Sequence, residues 1–215
     1  MPRASMTADQ IDSIKETILE KALQLIIEEG YSKLSMRKIA SRLGVTAASI
    51  YYYYKNKEEI NLMVRLKGFD MLHSMALKAC AGRISDEDKL RAVIWAYVEF
   101  GVTYPDYYDI MFNLRTPKVT DYIGTELELI ATTKLKPAAR KTFYLVGELI
   151  TALNKPTTLR DDDILYKTIQ LWSDMHGIIS LYNSNLIYQM TEDSRSILNR
   201  RIEKLLDRLV SRSAS

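Results

Sequence analysis

The chain has 215 residues and a formal net charge of +3, so it is long enough for one or two domains and is not strongly basic as a whole. Its single cysteine, Cys80, excludes an internal disulfide, and with only two histidines it excludes the usual structural zinc sites. We therefore expect no metal and no cofactor. The N-terminus has no signal-peptide-like run, and no stretch of about 18 or more apolar residues is present, which predicts a cytoplasmic protein that does not enter a membrane.

Helical periodicity runs through most of the chain and no segment shows the two-residue alternation of a strand, so the sequence predicts an all-α fold. Residues suited to capping precede the expected helices, and glycines or prolines end many of them. The expected helices cover 8–29, 36–43, 47–53, 57–81, 86–103, 106–114, 125–135, 137–154, 161–186 and 192–211. We expect an N-terminal three-helix head in 1–56 and a C-terminal helical bundle in 57–215.

Positive charge is concentrated in a window from Tyr31 to Lys57, which contains no acidic residue. The basic residues of this window are Lys33, Arg37, Lys38, Arg42, Lys55 and Lys57. The helix before the window carries both signs of charge. A short segment of one sign is typical of a surface that contacts nucleic acid.

Within this window, 35–54 has the spacing of a helix-turn-helix: a short helix, a turn at Gly44 and a second short helix. The tight turn makes the second helix protrude, so that its start can enter a major groove. The side chains at that start are small, namely Ala47, Ala48 and Ser49, and they allow close approach to base edges and thymine methyl groups.

Four tyrosines follow the start of this helix, and helical spacing assigns them different faces. Ile50 and Tyr54 are four residues apart and are expected to pack inward. Tyr51 and Tyr53 lie off that face, where a phenol can donate to a phosphate, and Tyr52 is best placed to touch bases or sugar.

The same residues resemble the DNA-binding region of the TetR/AcrR family of bacterial regulators. The matching stretches are Gly30-Tyr31, Leu34-Ser35-Met36-Arg37-Lys38-Ile39-Ala40, Gly44-Val45-Thr46, Ile50-Tyr51, Tyr53-Tyr54 and Lys57. The family usually has phenylalanine where this chain has Tyr54, which is a mild departure. The resemblance implies an all-helical C-terminal domain, a homodimer, double-stranded operator DNA as a partner and control by a small molecule.

The resemblance also implies roles for individual residues. Tyr51, Tyr53 and Lys57 correspond to phosphate contacts, and Ser35 and Arg37 to further contacts with the DNA backbone. The recognition surface comprises Thr46, Ala47, Ala48, Ser49 and Tyr52. The alternative for the segment is ordinary bundle architecture, in which the glycine separates two packed helices and the tyrosines fill space.

Aromatic residues are frequent after the fourth helix, and tyrosine supplies both the apolar wall and the polar group that a small-molecule pocket needs. The predicted pocket residues are Tyr97, Tyr104, Tyr108, Met111, Phe112, Tyr144, Trp172 and His176. Trp172 and His176-Gly177 also resemble a signature of one C-terminal subtype of these regulators. The alternatives are that the aromatic residues form an ordinary core and that His176 is a structural or interface residue instead of a ligand contact or pH-sensitive group.

An apolar stripe on the last helix predicts a homodimer interface. Its members recur at helical spacing: Leu198, Ile202, Leu205 and Leu209. Two helices from each subunit make a four-helix interface, and two recognition helices on a two-fold axis read a palindrome. The alternative is that the stripe only closes the core of one subunit.

Together these features predict a ligand-responsive repressor that an apolar or aromatic molecule releases from a pseudopalindromic operator. One alternative is a DNA-binding regulator that answers to a protein partner or to no ligand. Another is an enzyme built on a helical bundle, but His73, His176 and Cys80 have no convincing catalytic partners in the sequence, so we expect no enzyme.

Overall fold

A computed structural model describes residues 6–153 and 160–211, and this part of the chain is a succession of helices. The α-helices are α1 Ala8–Glu29, α2 Met36–Leu43, α3 Ala47–Tyr51, α4 Lys57–Cys80, α5 Asp86–Thr103, α6 Pro105–Tyr108, α7 Glu128–Ile130, α8 Lys136–Leu153, α9 Asp161–Asn183, α10 Leu186–Met190 and α11 Ser194–Ser211. Short 3-10 turns cover Tyr31–Lys33 and Val119–Tyr122, and π-helical turns cover Asp109–Asn113 and Ala131–Leu135. The predicted all-α fold is confirmed.

Side-chain caps fix the helix starts of the N-terminal segment, as predicted. Thr7 and Gln10 form a capping box, in which each side chain accepts a hydrogen bond from the other residue's N–H. Ser35 Oγ accepts from Lys38 N–H at 3.3 Å and begins α2. Gly44 ends α2 with φ 66° and ψ 28°, a left-handed conformation that costs glycine little.

The first compact unit contains 6–69 and 106–137, with α1, α2, α3 and the N-terminal half of α4. Helix α2 packs against both α1 and α3. The buried apolar side chains of this head include Ile18, Leu19, Ala22, Leu25, Ile26, Leu34, Met36, Ile39, Ile50 and Tyr54. Burial of these side chains supplies the main driving force that holds the short α3 in place.

A buried polar network joins α4 to the weakly helical segment that follows α6. Asn61 Nδ2 donates to the Tyr122 hydroxyl at 2.8 Å, and Arg65 donates to the carbonyl of Pro117 at 2.9 Å and of Met111 at 3.4 Å. Asn61 and Arg65 are both buried. Buried carbonyls outside regular helices need donors, and α4 supplies them here.

The same helix approaches Met111 closely at Gly68. A β-carbon built at Gly68 would lie 2.5 Å from Met111 Sδ and 3.1 Å from Tyr107 Cδ1. We therefore expect Gly68→Ala to lower the free energy of unfolding by about 1–3 kcal/mol through overpacking, as measured by urea denaturation. Gly147→Ala is the matched control, because its β-carbon would meet Thr168 Oγ1 at an ordinary 3.6 Å. That helical substitution should be neutral or stabilising, and equal destabilisation by both would contradict the packing argument.

Lys118 lies in the same segment, and its pKa predicts a pH dependence of stability. Burial, followed by the nearby charge of Arg65, lowers the pKa of Lys118 to about 8. An unfolded lysine titrates near 10.4, so above pH about 8 the unfolded state binds more protons than the folded state. The free energy of unfolding should therefore rise from pH about 8 to about 10. Urea denaturation across this pH range should show a smaller rise in the free energy of unfolding for Lys118→Met than for the wild type. Lys134→Met, at an exposed position, should show the same rise as the wild type.

The second compact unit contains 70–105, 138–153 and 160–211. Within it α9 packs against α5, α10 and α11. Its buried apolar side chains include Leu90, Val93, Ile94, Val98, Phe100, Leu171, Met175, Ile179, Leu198, Ile202 and Leu206. At the surface Arg91 of α5 forms ion pairs with Glu203 and Asp207 of α11.

Several predicted helix boundaries differ from those observed. The long helix predicted to Leu186 ends at Asn183, because Asn185 adopts a left-handed conformation with φ 59° that asparagine tolerates. The last helix begins at Ser194, two residues later than predicted. The helix predicted over 125–135 is a short α-helix followed by a π-helical turn. The predicted end at Asn154 lies outside the described residues.

Candidate nucleic-acid interface

Helix α3 is anchored by two side chains and turns the others outward. Ile50 is 1% exposed and Tyr54 is 4% exposed, so their predicted inward orientation is confirmed. Burial also raises the pKa of Tyr54. Tyr51 and Tyr52, which lie off this face, are 56% and 73% exposed. Helix α3 therefore presents two aromatic rings to solvent.

The start of α3 presents small side chains. Thr46 Oγ1 accepts from Ser49 N–H at 3.3 Å and caps the helix, and the two hydroxyls lie 3.0 Å apart. Ala48 and Ser49 are exposed and Ala47 is half-buried. A partner surface could therefore approach the helix backbone closely at this end.

Further predicted contact residues lie on both sides of α3. Tyr53 is half-buried, and its hydroxyl donates to Met6 Sδ at 3.8 Å. The Lys57 ammonium lies 4.9 Å from the ring centroid of Tyr31, a cation–π contact that restrains it at the start of α4. Tyr31 belongs to the matching pattern, but its contact with Lys57 was not predicted from the sequence.

Ser35 and Arg37, the contacts predicted at the start of α2, differ in their exposure to solvent. Ser35 is half-buried and its hydroxyl caps α2, which leaves its second lone pair and its proton for another partner. Arg37 is exposed in the first turn of α2.

The charge of the basic window is partly neutralised by residues outside it. Lys38 pairs with Glu29 at 2.5 Å and Arg42 pairs with Glu28 at 2.6 Å. Hydrogen bonds from Arg42 and Lys38 lower the pKa of Glu28 and Glu29 respectively. The electrostatic footprint is therefore weaker than the sequence count suggested. In the sequence, only the presence of Glu28 and Glu29 just before Gly30 indicated that this charge could be neutralised.

The predicted pocket residues divide between the two compact units. In the first unit the rings of Tyr108 and Phe112 lie 5.0 Å apart, and Phe69 meets Phe112 edge-on at 5.8 Å. Tyr108 and Met111 are buried and Phe112 is half-buried. This group forms an apolar cluster around the π-helical turn at Asp109–Asn113.

The remaining predicted pocket residues lie in the second unit. Trp172 Nε1 donates to the Tyr97 hydroxyl at 2.9 Å, and the rings of Trp172 and His176 lie 6.2 Å apart. Tyr97 is buried, whereas Tyr104 and Tyr144 are exposed. Phe143 on α8 meets Trp172 edge-on at 6.3 Å. Trp172 and His176, which resemble the subtype signature, thus lie near the surface of the second unit, and both are partly exposed to solvent.

Two of the four predicted dimer residues of α11, Leu198 and Ile202, lie in the core of the single chain. Leu198 and Ile202 are fully buried inside the single chain, and Leu205 is 9% exposed, because α11 packs its apolar stripe against α9. Leu209 is half-buried. Side chains without exposed surface cannot gain burial from a second subunit, so Leu198 and Ile202 hold the core of one chain.

Neither a metal site nor a spanning helix is found in the described ranges. Across 6–153 and 160–211, no three histidine, cysteine, aspartate or glutamate side chains come together as metal ligands. Over the same residues, every helix is too short or too polar to cross a bilayer.

The chain matches known regulators along most of its length. Residues 18–62 match the profile of bacterial regulatory proteins of the tetR family, and residues 90–205 match the tetracyclin repressor-like C-terminal domain. The chain is 23% identical over 180 residues to the HTH-type transcriptional regulator Rv0681 of Mycobacterium tuberculosis, a match that covers 84% of this chain and 75% of the relative.

Solved structures show the same fold. A tetR-family regulatory protein from Rhodococcus RHA1 superposes with a TM-score of 0.70 at 20% identity, covering 91% of this chain and 96% of the other. The fatty acid degradation regulator FadR from Bacillus halodurans superposes with a TM-score of 0.66 at 16% identity, covering 89% and 94%. With an exposed helix-turn-helix and both profiles matched, the chain belongs to the tetR family of DNA-binding transcriptional regulators.

Proposed function

We propose that the protein is a ligand-responsive repressor that binds a pseudopalindromic operator as a homodimer. The observation that carries the proposal is α3, which is held by Ile50 and Tyr54 and presents Ala48, Tyr51 and Tyr52 to solvent. A recognition helix of five residues contacts only a few base pairs, so a specific site requires two copies.

The proposed contacts follow from the exposure and chemistry of the head. Tyr51, Tyr53 and Lys57 bind phosphates, together with Ser35 and Arg37 from α2. The base-reading residues are Thr46, Ala47, Ala48, Ser49 and Tyr52. Neutral phenols, one ammonium and one guanidinium per subunit suit the modest positive charge that remains after the pairing of Lys38 and Arg42.

We place the dimer interface on the exposed face of α8 and α9. Leu165, Ile169 and Trp172 recur on one face of α9 and are 48%, 43% and 37% exposed. Tyr144 of α8 is 53% exposed. Such a stripe on a soluble protein needs a partner, and a second copy supplies both the cover and the two-fold axis of the operator.

Ile169→Asp is expected to convert the dimer into a monomer, because it buries an unpaired carboxylate in that interface. Light scattering after size-exclusion chromatography should give a mass near 24.8 kDa for the variant and twice that for the wild type. Ile84→Asp is the control, since Ile84 is 95% exposed and lies off the stripe. A dimer that persists in Ile169→Asp would exclude this interface.

The proposed effector is an apolar or aromatic small molecule bound within the second unit, at the cluster around Trp172. The fatty acid degradation regulator FadR shares the fold, so fatty acids are the first compounds to test. Effector binding displaces α4, which is one continuous helix from Lys57 to Cys80, and the DNA-binding heads lose their spacing. A coupling of about 1–3 kcal/mol corresponds to roughly tenfold weaker operator binding.

A single-tryptophan protein tests the effector proposal. Trp95→Phe leaves Trp172 as the only tryptophan, hydrogen-bonded to Tyr97. An effector should change the emission of Trp172 and weaken operator binding over the same concentration range. Compounds that change the emission and leave operator binding unchanged would show that the ligand does not control the DNA-binding head.

A further inference from the structure

The solvent face of α3 carries methyl groups and phenol rings in place of amide or guanidinium groups. No arginine, lysine, asparagine or glutamine occurs from Val45 to Tyr54. Arginine and lysine are the usual partners of guanine in the major groove, and asparagine and glutamine are those of adenine. Helix α3 therefore lacks the side chains that discriminate bases through paired hydrogen bonds.

The two hydroxyls at the start of α3 are already engaged with each other. Thr46 Oγ1 accepts from Ser49 N–H at 3.3 Å, and the two side-chain oxygens lie within hydrogen-bond distance at 3.0 Å. A hydroxyl that caps a helix has less capacity for a base edge. What remains uncommitted at this end is the apolar surface of the small side chains.

Two of the three cations on the preceding helix are directed toward α1, and the third, Arg37, is proposed to bind the DNA backbone. Lys38 pairs with Glu29 at 2.5 Å, and Arg42 pairs with Glu28 at 2.6 Å. Each would have to break an ion pair before it could reach a guanine. This arrangement leaves the reading of bases to the exposed residues of α3 itself.

Ala48 and Tyr52 form a continuous apolar strip on that exposed face. Tyr52 N–H donates to the Ala48 carbonyl at 3.2 Å, so the two side chains are one helical turn apart on the same side. The Tyr52 ring packs edge-on against Tyr53, with 5.0 Å between centroids, which restrains its direction. Tyr52 is 73% exposed.

We propose that this strip reads the C5-methyl groups of thymines, and that Ala48 and Tyr52 determine the base preference of the head. The thymine methyl is the one apolar group on the edges of bases in the major groove. The inference rests on the proposed operator binding and adds the chemistry of readout. It predicts thymines at the positions that face Ala48 and Tyr52 in each half-site.

Deoxyuridine tests the proposal, because it removes the methyl group of thymine and keeps every hydrogen-bonding group. We expect replacement of one contacted thymine to weaken binding of the purified protein to its selected operator by about fourfold, the effect of exposing one methyl group. Symmetric replacement in both half-sites should weaken binding by about 15-fold. Replacement outside the contacted positions should have no effect.

Protein variants assign the methyl contact to its partner. Ala48→Gly should bind the thymine and deoxyuridine operators equally at the position facing residue 48. Ser41→Ala is the control, since it removes a hydroxyl from an exposed position of α2 outside the proposed contacts and should keep the full fourfold ratio. The ratio of the two affinities is internal to each variant, so any loss of folded protein cancels.

Three outcomes are distinguishable. If deoxyuridine throughout both half-sites leaves affinity unchanged, methyl readout is wrong. If Ala48→Gly keeps the full dependence on thymine, the assignment of Ala48 is wrong. If no DNA sequence is bound selectively, the proposed operator binding fails instead.

Discussion

Replacing Arg65 with alanine is expected to lower the free energy of unfolding by about 3 kcal/mol. Arg65 is 5% exposed, and its guanidinium donates to the carbonyls of Pro117 and Met111. The guanidinium carbon also lies 5.9 Å from the ring centroid of Phe69. Truncation leaves the buried carbonyl of Met111 and the part-buried carbonyl of Pro117 without this donor and opens a cavity, and both effects destabilise the folded state.

Arg91→Ala is the matched control for this prediction. Arg91 pairs with Glu87, Glu203 and Asp207, but its side chain is 28% exposed. Ion pairs near the surface contribute little, so the loss should stay below about 1 kcal/mol. Urea denaturation of both variants at one protein concentration makes the comparison. A larger loss for Arg91→Ala than for Arg65→Ala would contradict the ranking of buried hydrogen bonds above surface ion pairs.

Tyr51→Phe and Lys57→Met should weaken operator binding in two different ways. Tyr51→Phe removes one neutral donor to a phosphate from each subunit, and we expect about 100-fold weaker binding at every salt concentration. Lys57→Met removes one counterion-releasing contact from each subunit, so the slope of log K against log salt should become shallower by about 1.8. Fluorescence anisotropy over a salt series measures both quantities.

Lys78→Met controls for net charge, because it removes the same charge from the exposed last turn of α4. Its operator affinity and salt slope should equal those of the wild type. A slope change in Lys78→Met as large as that of Lys57→Met would indicate a general charge effect and would remove the support for a phosphate contact at Lys57.

Local capping chemistry made the DNA-binding head predictable from the sequence. Thr7, Ser35 and Thr46 each use a side-chain oxygen to cap a helix, and Gly44 supplies the left-handed turn. These interactions span three or four residues, so a sequence pattern contains all the information. The inward faces of Ile50 and Tyr54 followed from the same short-range periodicity.

Features that depend on distant residues were not predictable. Lys38 and Arg42 can pair with Glu29 and Glu28 only because α1 and α2 pack together. A short sequence pattern does not predict that packing. The stripe containing Leu198 has the periodicity of an interface, but the same periodicity describes a helix buried within one chain. A hydrophobic stripe shows that a face is covered and leaves open what covers it.

The π-helical turns were missed for a related reason. The segments 106–114 and 125–135 have ordinary helical composition, and a π turn differs from an α-helix only in its hydrogen-bond register. Gly68 was assigned no role in the sequence analysis. In the structure Met111 Sδ approaches the space that a β-carbon would fill there, a contact between residues 43 positions apart in the chain.

Selection of bound sequences from random double-stranded DNA tests the central claim most directly. The purified full chain should enrich a two-fold symmetric site whose half-sites are one or more helical turns apart, as two copies of α3 on a dimer require. The enrichment should be lost in Tyr51→Phe combined with Lys57→Met. Enrichment of no sequence, or unchanged enrichment by the double variant, would contradict the assignment of Ser35 to Lys57 as the DNA-binding surface.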